Sequence, residues 1–293
     1  MESIILGFSD YDAQGRRLAQ ALGSPFSLIG VHRFPDGESR VTLPAVVPEH
    51  VILCRSLDHP NAKLVELLLA AETARELGAR RITLVAPYLC YMRQDIAFNP
   101  GEAVSQRIIG RFLAGVFDAL ITVDPHLHRI HDLVEITPGI HARSLSCAAA
   151  MGDFLRARGG RPLLVGPDSE SEQWVRAVAR YAGLDYAIAH KERLGDREVR
   201  IRMPEGSYRD LEVVLVDDMA STGRTMIGVA EILMAQGAGP IHSLVTHALH
   251  DDEAERLMRA AGIEQVWSSD SITHTSNAVS LTDVLAGAVK TID

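Results

Sequence analysis

Short runs of aliphatic and β-branched residues recur along the chain, separated by longer stretches in which apolar residues fall at helical spacing. The runs are Ile4 to Phe8, Val51 to Cys54, Ile82 to Ala86, Leu120 to Val123, Leu163 to Val165, Val213 to Val216 and Ile241 to Val245. Strands that are apolar throughout, alternating with helices, belong to a mostly parallel sheet covered on both faces, so the pattern predicts an α/β architecture. Two helices are well marked. Over Ala62 to Leu77, Leu64, Leu67, Leu68 and Ala71 form one stripe, and Gly78 stands at the C′ position. Over Ser171 to Ala182, Trp174, Ala177, Val178 and Tyr181 do the same before Gly183.

The strand and helix rhythm occurs twice, changing over between about Ala142 and Pro162, where the loop RARGGRP lies. At 293 residues the chain is long enough for two domains of common size, expected at 1–143 and 144–293. A single doubly wound domain with insertions is the alternative. Hydrophobic residues make up 47%, enough for two cores, yet no uncharged apolar run reaches membrane-spanning length. The start, MESIILGFSDYD, is acidic where a secretory signal is basic, so a cytoplasmic protein is expected. Cys54, Cys90 and Cys147 are odd in number and far apart, which suggests neither a disulfide framework nor a cysteine zinc site. A net charge of −9 argues against a nucleic-acid partner but does not exclude a small anionic substrate. Lysine occurs only at Lys63, Lys191 and Lys290, which makes a lysine in a candidate site informative.

The stretch Val213 to Met226, VVLVDDMASTGRTM, carries the strongest chemical signal. A buried strand runs into Asp217 and Asp218, then a small polar loop, then the helical spacing of Met226, Val229, Ala230 and Leu233. Ligands of open α/β sheets bind at the carboxyl ends of strands, where a helix N-terminus favours anions. Ser221, Thr222, Gly223 and Thr225 bring hydroxyls and close backbone to a phosphate, while Asp217 and Asp218 can accept bonds from sugar hydroxyls or hold Mg²⁺ through water. The bland reading is a βα turn with a capping hydroxyl. Neither G-x-x-x-x-G-K-[ST] nor G-x-G-x-x-G occurs.

Other stretches add to it. Phe34-Pro35-Asp36-Gly37-Glu38 has the composition of a turn. PYLCYMRQD, Pro87 to Asp95, follows a strand and ends in residues suited to a phosphate and a purine edge. In VDPHLH, Asp124 and His126 are two apart at a strand end and so point to one side, a geometry for a divalent metal or a phosphate. His126, His128 and His131 also admit a zinc reading. Asp168 ends another strand, and His190-Lys191-Glu192-Arg193 reads by itself as a solvated charge run.

FPDGE, PYxxYxRQD, NPGEAVS, VDPH, GPD, K-x-R and VDDMASTGRT together resemble the ribose-phosphate pyrophosphokinases, in order and approximate spacing and over nearly the whole chain. The last loop alone is similar to that of the type I phosphoribosyltransferases, which have no need of FPDGE or RQD. The resemblance implies two phosphoribosyltransferase-like domains with the active site between them, often completed by a neighbouring subunit, and a homo-oligomer (dimer or hexamer). It would allow a last helix near Ser280 to Val289 to fold back onto the first domain. It also implies an enzyme that moves the diphosphoryl group of ATP, with Mg²⁺, to ribose 5-phosphate. Phe34, Asp36 and Glu38 would meet the adenine, Arg93 and Gln94 would contact ATP, and His126 would lie near its phosphates with Asp124 nearby. Asp168 would belong to the Mg²⁺ and ribose phosphate region. Lys191 and Arg193 would match the mobile catalytic loop, and Asp217, Asp218, Thr222 and Thr225 would hold ribose 5-phosphate. The chain departs from the family pattern where Ser221 and Arg224 replace a common Asp and Gly, where Ser169-Glu170-Ser171 replaces a Gly-Gly pair, and where Ile96 and Ala97 follow Asp95. These departures leave two alternatives: a non-catalytic regulatory relative, and a same-fold enzyme with another sugar phosphate or nucleotide donor.

Overall fold

A computed structural model describes residues 2–127, 129–130, 132–193 and 199–292, without the side chains of 191–193 and 199–200. The chain divides into two compact units, Met1–Leu145 with Ser271–Thr273 and Thr282–Asp293, and Ser146–Asp270 with His274–Leu281. The division thus falls after Leu145, and the last helix belongs to the first unit.

The first unit runs β1 (Ser3–Gly7), α1 (Asp12–Leu22), β2 (Phe26–Leu28), β3 (Gly30–Arg33), β4 (Ser39–Thr42), β5 (His50–Cys54), α2 (Pro60–Glu76), β6 (Arg81–Val85), α3 (Ser105–Val116), β7 (Ala119–Val123) and β8 (His141–Leu145). Among the described residues a parallel sheet has the order β2-β1-β5-β6-β7-β8, and β3 and β4 form a separate antiparallel hairpin. The middle strands are largely apolar because both faces are covered; Ile52, Leu53, Leu84 and Leu120 are buried. Along α2, Pro60 sits in the first turn, Leu64, Leu67, Ala70, Ala71 and Ala74 are buried, and Gly78 follows the helix at φ +105°. All three cysteines are buried and free, and burial pushes the Cys90 thiol up to about 12, so it is inert.

The helix α2 also buries charge. Glu66 is fully buried and pairs with Arg55 at 2.7 Å, and Arg55 stacks on the Phe8 ring at 4.1 Å. Lys63 meets Asp58 at 2.7 Å, Asp10 at 3.0 Å and the Ser56 carbonyl at 2.9 Å. Ions buried this deeply persist only when each has a partner. Glu66 Oε1 also accepts from Ser39 Oγ at 3.0 Å and from Arg33 at 3.4 Å, and so ties both strands of the β3–β4 hairpin to α2.

The second unit runs α4 (Ala148–Arg158), β9 (Leu163–Gly166), α5 (Glu172–Ala182), β10 (Tyr186–Ile188), β11 (His190–Arg193), β12 (Val199–Arg202), β13 (Val213–Ala220), α6 (Arg224–Ala235), β14 (Ile241–Ala248), α7 (Asp252–Ala260), β15 (Ile263–Ser269) and β16 (Asn277–Val279). Its sheet has the order β10-β9-β13-β14-β15-β16, all parallel among the described residues, and β11 pairs antiparallel with β12. The buried face of α5 differs from the expected stripe. Val175, Val178, Ala179 and Ala182 are buried while Tyr181 is 51% exposed, because the smaller side chains fit against the sheet and α4. Finally α8 (Thr282–Val289) packs on α1, buries Leu285, Ala286 and Ala288, and is held at its end by Arg81, which donates to the Ile292 carbonyl at 2.6 Å.

Two glycines of α3 separate packing from propensity. A Cβ on Gly110 would stand 2.3 Å from the Ile136 carbonyl oxygen, whereas one on Gly115 meets nothing within 4 Å. Alanine gains about 1 kcal/mol over glycine inside a helix, and overpacking costs about 1–3 kcal/mol. Gly115→Ala is expected to raise the denaturation midpoint slightly and Gly110→Ala to lower it; a rise in both would contradict the packing described.

Candidate active site

Strand β13 continues past the acidic pair. Asp217 lies opposite Val245, Met219 opposite His247 and Ala220 opposite Ala248, so the strand runs past the apolar run that ends at Val216 and includes Asp217 and Asp218. The eight-residue partner β14 holds them extended. Asp218 is buried and Asp217 half-buried, with the Asp218 N–H donating to Asp217 Oδ1 at 2.9 Å. Ser221 and Thr222 then turn the chain into Gly223, the N-cap of α6, at φ +68°. Glycine is required there twice over: the φ is left-handed, and a Cβ would approach Cγ of Met258 on α7 to 2.7 Å. The N-cap Gly223 has no side chain to cap the helix, and the start of α6 lines a cleft of about 160 Å³ formed by Asp217 and by Met219 through Met226. That is an anion site by geometry. Arg224 is exposed on the first helical position and lines the same cleft.

Burial, then the charge of Asp218 and then that of Asp168, hold the Asp217 carboxyl well above the usual carboxylate range. Asp168 follows β9 and caps the short turn Ser169–Ser171, its Oδ1 accepting from the N–H of Glu170 at 3.1 Å and of Ser171 at 3.3 Å. Ser171 Oγ donates back to the Asp168 carbonyl at 2.6 Å. There is room for that hydroxyl only because Gly166 has no Cβ, which would lie 2.4 Å from it. Three carboxylates thus share one strand-end region and offer hard oxygen donors to a divalent cation, whose charge would offset their repulsion.

Lys191 and Arg193 lie on β11, in register with Ile201 and Val199 of β12; their side chains are outside the described set. Ile201 packs on α6, where a Cβ on Gly228 would stand 2.7 Å from its Cδ1. The stretch read as a charge run is therefore one arm of a hairpin whose other arm rests on the helix that heads the cleft.

In the first unit, Phe34 to Glu38 form the tip of the β3–β4 hairpin. Phe34 N–H bonds the Glu38 carbonyl at 2.8 Å, Gly37 N–H the Phe34 carbonyl at 2.9 Å, and Asp36 Oδ1 accepts from Glu38 N–H at 3.1 Å. Phe34 is 40% exposed, edge-on to His32. Asp36 to Ser39 share a recess of about 620 Å³ with Ala62, Val65 and Leu69 of α2. Arg93 is exposed and Gln94 half-buried in the loop after β6. That loop is pinned by Asp95, which accepts from Arg129 Nη1 at 2.7 and 2.8 Å, and by the Gln94 carbonyl, which accepts from Gln106 N–H at 3.2 Å. Asp124 stands just beyond β7 at φ +37°, so the period-two rule that would place Asp124 and His126 on one side ends at Val123. Asp124 is buried and His126 half-buried. Asp124 and His126 belong to the first unit and Asp168 to the second. His128 and His131, needed for the zinc reading, are outside the described residues. Sequence reasoning missed the clamps made by Glu66 and Arg129, since each joins segments far apart in the chain.

A cleft with a helix start and an acidic strand end, set in one of two parallel α/β units, defines an enzyme of phosphoribosyltransferase-like fold. Residues 140–278 match the phosphoribosyl transferase domain, and residues 4–116 match the N-terminal domain of ribose phosphate pyrophosphokinase. The ribose-phosphate pyrophosphokinase of Methanopyrus kandleri is 35% identical over 292 residues, 99% of each chain. That of Thermococcus kodakarensis is 33% identical over 81% of this chain and 84% of its own. The chain belongs to the ribose-phosphate pyrophosphokinase family. In fold it is similar to phosphoribosylpyrophosphate synthetase from Mycobacterium smegmatis, with a TM-score of 0.84 at 21% identity over 99% of this chain and 98% of that one.

A carboxyl with a raised folded-state pKa contributes stability fully below its unfolded pKa of about 3.9 and loses it as the pH rises through the folded value. Asp217 therefore lowers the stability of the unit as the pH rises from its unfolded pKa toward neutrality. Asp217→Asn is expected to raise Tm at about pH 7 and to lose that advantage as the pH falls toward 4. An equal gain at both pH values, read by calorimetry without added metal, would contradict the repulsion.

Proposed function

We propose that the protein transfers the diphosphoryl group of ATP to the C1 hydroxyl of ribose 5-phosphate, giving phosphoribosyl diphosphate and AMP. The C1 oxygen bonds to the β-phosphorus, the bond from that phosphorus to the oxygen bridging to the α-phosphate breaks, AMP leaves, and the hydroxyl proton passes to water. The observation that carries the reading is the cleft lined by the start of α6 with Ser221, Thr222 and Thr225, beside the strand end that bears Asp217 and Asp218; in this reading the loop takes the phosphate and the aspartates the ribose hydroxyls. In-line phosphoryl transfer asks chiefly for alignment and charge neutralisation. Lys191 and Arg193, both on β11, supply positive charge to the phosphates in flight. Phe34, Asp36 and Glu38 receive the adenine; Arg93, Gln94 and His126 receive the rest of ATP.

The Asp168, Asp217 and Asp218 cluster fits Mg²⁺ because each carboxylate disfavours the ionisation of Asp217 until a cation is present. Mg²⁺ bound there, or at Asp124 and His126, would neutralise phosphate oxygens. The assembly proposed is a homo-oligomer in the cytoplasm. No described helix is long and apolar enough to cross a membrane.

The direct test is AMP release from ATP with Mg²⁺ and ribose 5-phosphate, against a no-sugar control. Sugar-dependent AMP is expected; nucleotide binding without turnover would favour the regulatory alternative. Lys191→Ala is expected to lower kcat by about 10²–10³ with a smaller change in KM for ATP, and a loss confined to binding would contradict its role. Arg224→Ala is expected to raise KM for ribose 5-phosphate by about tenfold, the scale of one charge-assisted hydrogen bond, with kcat nearly kept. A lower KM would mean that Arg224 obstructs the cleft.

A further inference from the structure

We propose that His250, Glu255 and His274 form a binding site for a divalent transition metal of the zinc type. His250 lies just beyond β14, Glu255 in the first turns of α7, and His274 in the segment leading to β16, all within the second unit. One ring nitrogen from each histidine and one carboxylate oxygen lie within 4.8 Å of one another.

The state of His250 points to a missing ligand. The residue is 4% exposed, and neither ring nitrogen has a partner at full hydrogen-bond geometry, the Ala220 carbonyl acting on the ring only from a poorer position. A buried imidazole without a partner forfeits its hydration for nothing. The nearby Ala220 carbonyl already accepts from Leu249 N–H at 2.8 Å.

The other two residues are oriented toward it. Arg259 donates to Glu255 Oε1 at 2.7 and 3.1 Å, which leaves Oε2 to face His250 Nε2 at 3.8 Å, too far for a hydrogen bond. The His274 ring meets His250 edge to face at 4.4 Å between centroids. Its Nδ1 is held by Ser276, at 2.8 Å from Oγ and 3.1 Å from N, and its Nε2 lies 3.2 Å from the His250 carbonyl. A metal at Nε2 would replace the bond to that carbonyl and requires the other tautomer, in which Nδ1–H donates to Ser276 Oγ and the Ser276 N–H gives up its bond to Nδ1. Tetrahedral zinc with bonds of about 2.0–2.1 Å asks for ligand atoms about 3.4 Å apart, so modest ring rotations close the site and leave a fourth position for water. Two imidazoles and one carboxylate select zinc over Mg²⁺, which keeps this site apart from the acidic strand end.

The site also has mechanical reach. The helix α7 that bears Glu255 presents Met258 to Gly223, so a metal joining α7 to the end of β14 would brace the phosphate loop from behind.

The test is zinc titration of the full chain, freed of metal, in competition with a chromophoric chelator, with Mg²⁺ in excess. One zinc per chain is expected, with a rise in Tm on binding. His250→Ala, His274→Asn and Glu255→Gln should each weaken binding by about 100-fold or more and abolish the rise. His274 and Glu255 are only half-buried, so their variants keep the test open should His250→Ala fail to fold. Absence of stoichiometric zinc binding by the unaltered chain, or undiminished binding by folded His274→Asn and Glu255→Gln, would overturn the proposal.

Discussion

Three carboxylates, Asp168, Asp217 and Asp218, are held close together at the carboxyl end of a buried parallel sheet, and the repulsion among them shapes what surrounds them. The sheet cannot relax it: β13 is locked in register with β14 through Ala220, and Asp168 is fixed by the turn it caps. Such an arrangement costs stability in the empty protein and makes sense where a cation or a polyhydroxyl ligand completes it. Next to it the chain enters α6 through a left-handed glycine, placing positive partial charge within reach of the negative cluster. A ligand with hydroxyls at one end and a phosphate at the other satisfies both.

Much of this was legible in the sequence because parallel strands buried on both faces leave continuous apolar runs. Val213 to Val216 and Ile241 to Val245 announced their strands, and Gly78 and Gly183 announced helix ends. The edges were not legible. In β8, His141 to Leu145 is mostly polar and exposed, and β2, β10 and β16 are three residues each, too short to show a period. The apolar run ends at Val216, so the extension of β13 through Met219 and Ala220 shows only in their pairing with β14. In α5 the aromatic residues drew attention from the smaller ones that pack, and Tyr181 faces outward.

The family departures acquire physical meaning in the structure. Ser169-Glu170-Ser171, where a glycine pair is common, forms a turn that caps itself through Asp168 and Ser171, with space for the Ser171 hydroxyl supplied by Gly166. Arg224 is exposed at the first position of α6 and lines the cleft beside the N-cap Gly223. In the first unit the turn that carries Phe34, Asp36 and Glu38 owes its place to a fully buried glutamate, Glu66, that no local pattern would single out.

The central claim is that one loop, from Ser221 to Thr225, takes the phosphate while the adjoining strand end takes the sugar. The most direct measurement is a crystal structure of the protein soaked with ribose 5-phosphate. Phosphate density is expected against the start of α6, with ribose hydroxyls within hydrogen-bond distance of Asp217 and Asp218. A sugar phosphate bound elsewhere, or turned so that its phosphate leaves the start of α6, would contradict it.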